Sequence, residues 1–219
     1  MKTKFLKAIS GFLATVLFSM LILTVPALAA VDFPFTDVPV DAWYRLDVEA
    51  ACKNGLINGK TATIFAPNDE MTLAEAVKIA ACMHQLYHEG TVTLENTSAP
   101  GAWYIAYMDY AWDVGIILSE HAYDRANDPI TRYEFVDTFY KALPESEYPA
   151  INDIADGWIP DVDIGQTFIY ISRVYAFYRA GILTGDETGA FNGDSTIKRS
   201  EVSAIITRML NVGARKTIL

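Results

Sequence analysis

A four-residue pattern recurs three times along the chain, as Thr72-Leu-Ala-Glu75, Thr131-Arg-Tyr-Glu134 and Lys198-Arg-Ser-Glu201. In the last two copies an arginine follows the first residue. At the first position of a helix, a guanidinium stands beside unpaired N–H groups where the dipole also favours an anion. There it can fork onto a carboxylate with two hydrogen bonds. Arg132 and Arg199 are therefore candidate anion ligands, whereas Leu73 leaves the first copy without one. The plainer alternative is a solvated charge or a local ion-pair partner. Aromatic residues recur as well: Trp43-Tyr44, Trp103-Tyr104, and Tyr170 after an Ile169 that replaces the tryptophan. Flat amphipathic rings suit stacking on a sugar face with a polar edge left wet. A tryptophan at a helix start is equally a core anchor. Gly59 and Gly185 permit close backbone approach in loops.

The spacing predicts the elements that position these residues. Gly55-Leu56 and Gly115-Ile116 each follow a Trp by twelve residues, and Gly181-Ile182 follows Ile169 by twelve. The four-residue pattern begins 17, 16 and 17 residues beyond each glycine. Helices are expected over about 41–54, 102–114 and 166–180, each closed by its glycine with the next aliphatic residue packing back. Second helices start at the pattern, where Thr72 with Glu75 and Thr131 with Glu134 form capping boxes. Lys198 cannot accept a hydrogen bond, so the third box is half complete. Stripes follow at helical spacing: Ala76, Ile79, Ala80 and Met83; Phe135, Phe139 and Leu143; Val202, Ile205, Ile206 and Met209. Six short amphipathic helices must cover one another, which predicts an all-α unit of three pseudo-equivalent helix-loop-helix repeats.

Composition narrows the function. The chain has 27 acidic and 17 basic side chains, for a net charge of −10, which argues against nucleic acid as a partner. Lys2, Lys4 and Lys7 precede a charge-free stretch to Val31 ending in Pro26-Ala-Leu-Ala29. This pattern predicts a secretory signal over residues 1–29, with an uncleaved anchor as the alternative. No membrane contact is expected after cleavage. Cys52 and Cys82 make no disulfide framework, and a bond between them or two small half-buried side chains both remain open. His84 and His88 have a metal-pair spacing, but no glutamate follows His84, and they read as surface residues. No nucleophile elbow or phosphate loop is present, so no enzymatic activity and no cofactor or metal are expected.

The pattern Phe35-Thr-Asp37-Val38, Trp43-Tyr44, Gly55-Leu-Ile57, Gly59, Phe65-Ala-Pro67 and Thr72-Leu-Ala-Glu75 resembles an S-layer homology (SLH) repeat. The last repeat shows Ile151-Asn-Asp153-Ile154, Gly181-Ile-Leu183, Gly185, Phe191 and Lys198-Arg-Ser-Glu201. Asp153 stands 28 residues before its glycine, against 18 for Asp37, so an insertion is expected around 156–164. The acids in it, Asp156, Asp161 and Asp163, form no regular calcium loop. The middle repeat lacks the Asp-Val entry and the loop glycines. The expected repeats span 30–92, 93–147 and 148–219, the last with a short tail.

The resemblance implies a pseudo-threefold SLH trimer within one chain, with grooves between adjacent repeats. It implies a non-catalytic module anchored to a bacterial cell wall or surface layer. The implied partner is a secondary cell-wall polymer, a polysaccharide often carrying pyruvate ketals. By position it assigns Arg132, Arg199, Trp43, Trp103, Asp37, Asp153, Gly59 and Gly185 to the grooves; Tyr44, Tyr104 and Tyr170 join the candidates as stacking rings. Both aspartates are equally turn caps. Assembly with other surface-layer proteins through altered grooves is the competing expectation.

Overall fold

A computed structural model describes residues 33–98, 101–165 and 169–218. The expected signal segment lies outside them. Contacts set Pro34–Leu219 apart as one compact unit. Seven α-helices occur among the described residues, without a β-sheet: α1 Arg45–Lys53, α2 Leu73–Glu89, α3 Ile105–Asp113, α4 His121–Asp124, α5 Arg132–Tyr140, α6 Ile169–Arg179 and α7 Arg199–Leu210. The all-α expectation holds. None of these helices is long and apolar enough to cross a membrane.

The first helices of the first two copies are shorter than expected. In α1 and α3 the capping residues are Tyr44 and Tyr104, so Trp43 and Trp103 stand in the turn before the helix. That turn is closed by backbone bonds, Ala42 N–H to Pro39 and Arg45 N–H to Ala42. Each first helix ends as the spacing predicts. Gly55, Gly115 and Gly181 take φ of 70°, 77° and 70°. The next residues, Leu56, Ile116 and Ile182, send their N–H groups back to Ala51, Ala111 and Phe177. This is the Schellman closure, which satisfies carbonyls that would otherwise be orphaned.

The second helices form the centre. Both threonine capping boxes are present, with Glu75 and Glu134 accepting the cap N–H groups at 3.0 Å. At α7 only the Glu201 half exists, accepting from Lys198 N–H at 3.0 Å. Around the centre the three copies interlock through their backbones. Met71 N–H reaches Ile197, and Ile130 N–H reaches Met71. Isolated antiparallel bridges join Glu70 with Lys198, Thr72 with Pro129, and Thr131 with Thr196. Met71, Ile130 and Ile197 are all buried at this junction. Outside it, α2 packs on α3, α5 on α6, and α7 on α1. Each second helix therefore pairs with the first helix of the following copy.

Candidate functional site

The interlocking creates three grooves of one design. Each is walled by the loop and second helix of one copy and the first helix of the next. The residue after the cap reaches in from the third copy. Groove 1 has Gly59, Lys60, Glu75 and Lys78 from the first copy, Trp103 from the second and Arg199 from the third, around a cavity of about 370 Å³. Groove 2 has Leu118, Arg125, Glu134 and Lys141 from the second copy, Tyr170 and Arg173 from the third and Leu73 from the first, with a cavity of about 290 Å³. Groove 3 has Gly185, Glu201 and Arg208 from the third copy, Trp43 from the first and Arg132 from the second, with a cavity of about 300 Å³.

The two pattern arginines are set alike, with Arg199 making one bond more. Arg199 donates through Nε to the Phe65 carbonyl at 3.0 Å, through Nη1 to Glu75 at 3.3 Å and through Nη2 to the Asn58 carbonyl at 2.6 Å. Its guanidinium lies 4.8 Å from the centre of the Phe65 ring. Arg132 donates through Nε to the Phe191 carbonyl and through Nη1 to Glu201, both at 2.7 Å, and lies 5.4 Å from the Phe191 ring. Each arginine thus ties one copy to the loop of another before any ligand arrives. Arg199 is buried, and burial lowers its pKa from the ordinary 12.5, opposed by the carboxylates of Glu75 and Asp69. Burial alone would raise the Glu75 carboxyl. Hydrogen bonds from Lys60 and the Thr72 backbone, with Arg199 alongside, outweigh it and hold the carboxyl below the ordinary 4.5. In groove 2 the position after the cap holds Leu73, so no pattern arginine reaches the glutamate. Glu134 is paired instead by Arg125 of its own loop at 2.6 Å.

The helix N-termini are not open to an anion, which corrects one expectation. Arg199 and Ser200 N–H groups are taken by the Asp69 and Pro67 carbonyls. Arg132 and Tyr133 bond Ser195 and Gly193, and Leu73 and Ala74 bond Asp128 and Ala126. The neighbouring copy uses these donors because a buried unpaired N–H is costly. Any anion must be held by side chains.

Aspartates at the entries do not line a groove. Asp37 accepts from Phe65 N–H at 2.8 Å and Ala66 N–H at 2.7 Å. That clamp holds Ala66 at a φ of 59°, a left-handed conformation costly for a residue with a Cβ. In the last copy the same clamp is made by Asp161, not Asp153. Asp161 accepts from Phe191 N–H at 2.7 Å and Asn192 N–H at 2.6 Å, and Asn192 has a φ of 58°. Asp153 is exposed in the connection before it. The true entry is therefore Asp161-Val162, only 20 residues before Gly181, and the expected insertion is a linker outside the repeat. The sequence misled because Ile151-Asn-Asp-Ile154 imitates the entry.

The remaining candidates separate. Trp103 and Trp43 are groove residues, Trp43 being 63% exposed. Tyr170 lines groove 2. Tyr104 is buried in the core, and Tyr44, half-buried, packs edge-on against Trp43. Gly59 is required by packing, since a Cβ there would lie 2.3 Å from the Phe35 ring and 2.6 Å from the Thr61 carbonyl. Gly185 is left-handed with a φ of 74°, and a Cβ would meet Gly189 at 2.6 Å. Cys52 and Cys82 are free thiols. His84 bonds the Tyr110 hydroxyl at 2.9 Å and stacks near His88.

Several groove residues escaped the sequence reading: Lys60, Lys78, Lys141, Arg173 and Arg208. For two a signal existed. Lys141 and Arg208 each stand ten residues after the start of their pattern. Each donates to the carbonyl of the residue after the helix-closing glycine, Ile116 and Ile182, at 3.1 Å.

Comparison with known proteins agrees with this architecture. The S-layer homology domain family model matches residues 34–77 and 159–203, and the second match starts just before Asp161. The surface-layer 125 kDa protein of Lysinibacillus sphaericus is 34% identical over 117 residues, covering 51% of this chain and 10% of that protein. The amylopullulanase of Thermoanaerobacterium thermosulfurigenes is 26% identical over 180 residues, covering 82% of this chain and 10% of that enzyme. The exoglucanase XynX of Acetivibrio thermocellus is 26% identical over 182 residues, covering 80% of this chain and 16% of the enzyme. The chain spans only 10%, 10% and 16% of these relatives' own lengths. Residues 34–77 and 159–203 of this chain are thus similar to S-layer homology domains.

Proposed function

We propose that this chain is a non-catalytic, exported cell-wall anchoring module that holds an anionic, pyruvylated secondary cell-wall polysaccharide in its inter-repeat grooves. The middle copy, over 93–147, is read as a diverged third repeat. The carrying observation is groove 1. There Lys60, Lys78 and Arg199 face a single carboxylate, Glu75, beneath the Trp103 ring. Lys78 Nζ sits 5.5 Å from that ring centre and 3.1 Å from the Asn96 amide oxygen. A ketal carboxylate can pair with the surplus cations while a sugar ring lies on the tryptophan. Groove 3 offers Arg132, Arg208 and the exposed Trp43 against Glu201 and is the weaker site.

Co-sedimentation with purified cell-wall sacculi tests this reading. Binding is expected with native sacculi and lost after chemical removal of the pyruvyl groups. Lys78→Ala with Trp103→Ala is expected to lower affinity about tenfold, since it leaves the arginine ties intact. Binding that survives both treatments would sink the assignment. A second reading, assembly with other surface-layer proteins, draws on Val40, Trp43 and Leu46, which are 83%, 63% and 77% exposed close together in sequence. It is favoured if the protein ignores sacculi and instead co-assembles with a purified surface-layer protein.

A further inference from the structure

Groove 2 has lost the crossing arginine, yet it is not short of positive charge. Lys141 Nζ lies 2.6 Å from Asp137 Oδ2, and Arg173 Nη1 contacts the other oxygen of the same carboxylate. The three side chains are 14%, 13% and 18% exposed in the order Lys141, Arg173, Asp137. Arg125, the other strong cation of this groove, is already committed to Glu134 at 2.6 Å and Asp128 at 3.5 Å. Two cations therefore share one anion at the α5–α6 seam. Burial lowers the pKa of both, so the surplus charge is held at a cost.

The matching positions elsewhere carry no such surplus. In groove 3 Arg208 occupies the place of Lys141, and Asp47 on α1, the counterpart of Arg173, offsets it. In groove 1 these two places hold Cys82 and Tyr107. Apolar side chains complete the seam: Ile117 and Leu118 line the same cavity, and Leu118 is 73% exposed on its rim. We infer that groove 2 is an anion site of a different construction, taking a carboxylate attached to a small apolar group. The carboxylate pairs with the outer N–H groups of Arg173 and Lys141, and the apolar part rests on Ile117, Leu118 and Tyr170. A ketal carboxylate carries such a methyl group, so identifying the natural ligand rests on the proposed function, while the site itself does not.

NMR titration of the isotope-labelled protein separates the two. Propionate is the first probe, read at the Arg173 Nε–H and Trp103 indole N–H signals. A saturable shift at Arg173 is expected, weakened about tenfold by Lys141→Met and kept in Trp103→Phe; Arg173→Met is expected to weaken propionate binding to the same extent, read at the backbone N–H of Leu118 in the same groove. If Arg173→Met does not fold, Arg173→Lys, which keeps the charge and loses the fork, is read instead. A shift that never saturates, or that neither substitution weakens, overturns the site. The second probe is the methyl glycoside of a pyruvylated hexosamine. Saturation at both signals supports the site as part of polymer binding. A shift at Trp103 alone overturns that part and leaves the proposed function standing. Propionate saturating Arg173 while the glycoside moves neither signal supports the anion site and overturns the polymer reading.

Discussion

The two pattern arginines do structural work first. Arg199 replaces three hydrations with three protein acceptors in a closed environment. Its removal leaves Glu75 and two carbonyls short of a donor, which costs several kcal/mol in buried pairs. Arg199→Met is therefore expected to destabilise by about 3 kcal/mol, and Arg132→Met by less, because its pair with Glu201 is more exposed. Urea denaturation measures both. The entry aspartates give a sharper contrast. Asp161→Asn removes two charge-assisted bonds that hold a left-handed residue, at an expected cost of about 2 kcal/mol. Asp153→Asn, on the exposed linker, should stay within about 0.5 kcal/mol. Equal effects would overturn the assignment of the clamp to Asp161. Acid sensitivity follows from the glutamates. Glu75 and Glu134 both have carboxyls held below the ordinary 4.5, Glu134 because hydrogen bonds from Arg125 and Thr131 outweigh its burial. A depressed folded pKa contributes stability that is present above the unfolded pKa and lost as pH falls through the folded one. The denaturation midpoint should accordingly drop as pH falls from neutrality through the carboxylate range, and less so in Glu134→Gln.

The helix ends form a natural experiment, since two second helices have complete boxes and one does not. Thr131→Ala removes a cap bond of 3.2 Å and should cost about 1 kcal/mol. Lys198 is exposed and contributes only its backbone N–H to the box. Lys198→Thr completes the box and is expected to raise stability by about 0.5 kcal/mol, read as a rise in Tm. Element boundaries were only partly legible in the sequence. The glycine stops were clear, because positive φ has a residue signature. α1 and α3 start later than the periodicity predicts, because Trp43 and Trp103 fit a helical pattern yet belong to the preceding turn.

No copy can close its own groove or satisfy its own second-helix N-terminus. Each takes the carbonyls that satisfy its second-helix N–H groups and the wall helix of its groove from the following copy, and the side chain after the cap from the preceding one. A chain ending after Leu143 keeps two copies but loses the partners of Met71, Arg132 and Tyr133. It is expected to show no cooperative thermal transition by circular dichroism, whereas the whole protein unfolds in one. Two separately melting transitions in the whole protein would contradict this interdependence.

The sequence by itself determined the all-α class, the recurring helix stops and the two threonine capping boxes. These are set by local rules of backbone conformation and periodicity, which act within a few residues. Only the tertiary structure decided which parts share a groove and that the helix N-termini are filled. It also decided that Asp161 takes the place of Asp153, and that Arg173 and Lys141 recharge the groove that Leu73 left without an arginine. Those outcomes depend on residues distant along the chain meeting in space, from a separation of 30 between Asp161 and Phe191 to 141 between Arg199 and Asn58. No local pattern encodes such a meeting. It is fixed by the packing of the copies around their shared centre.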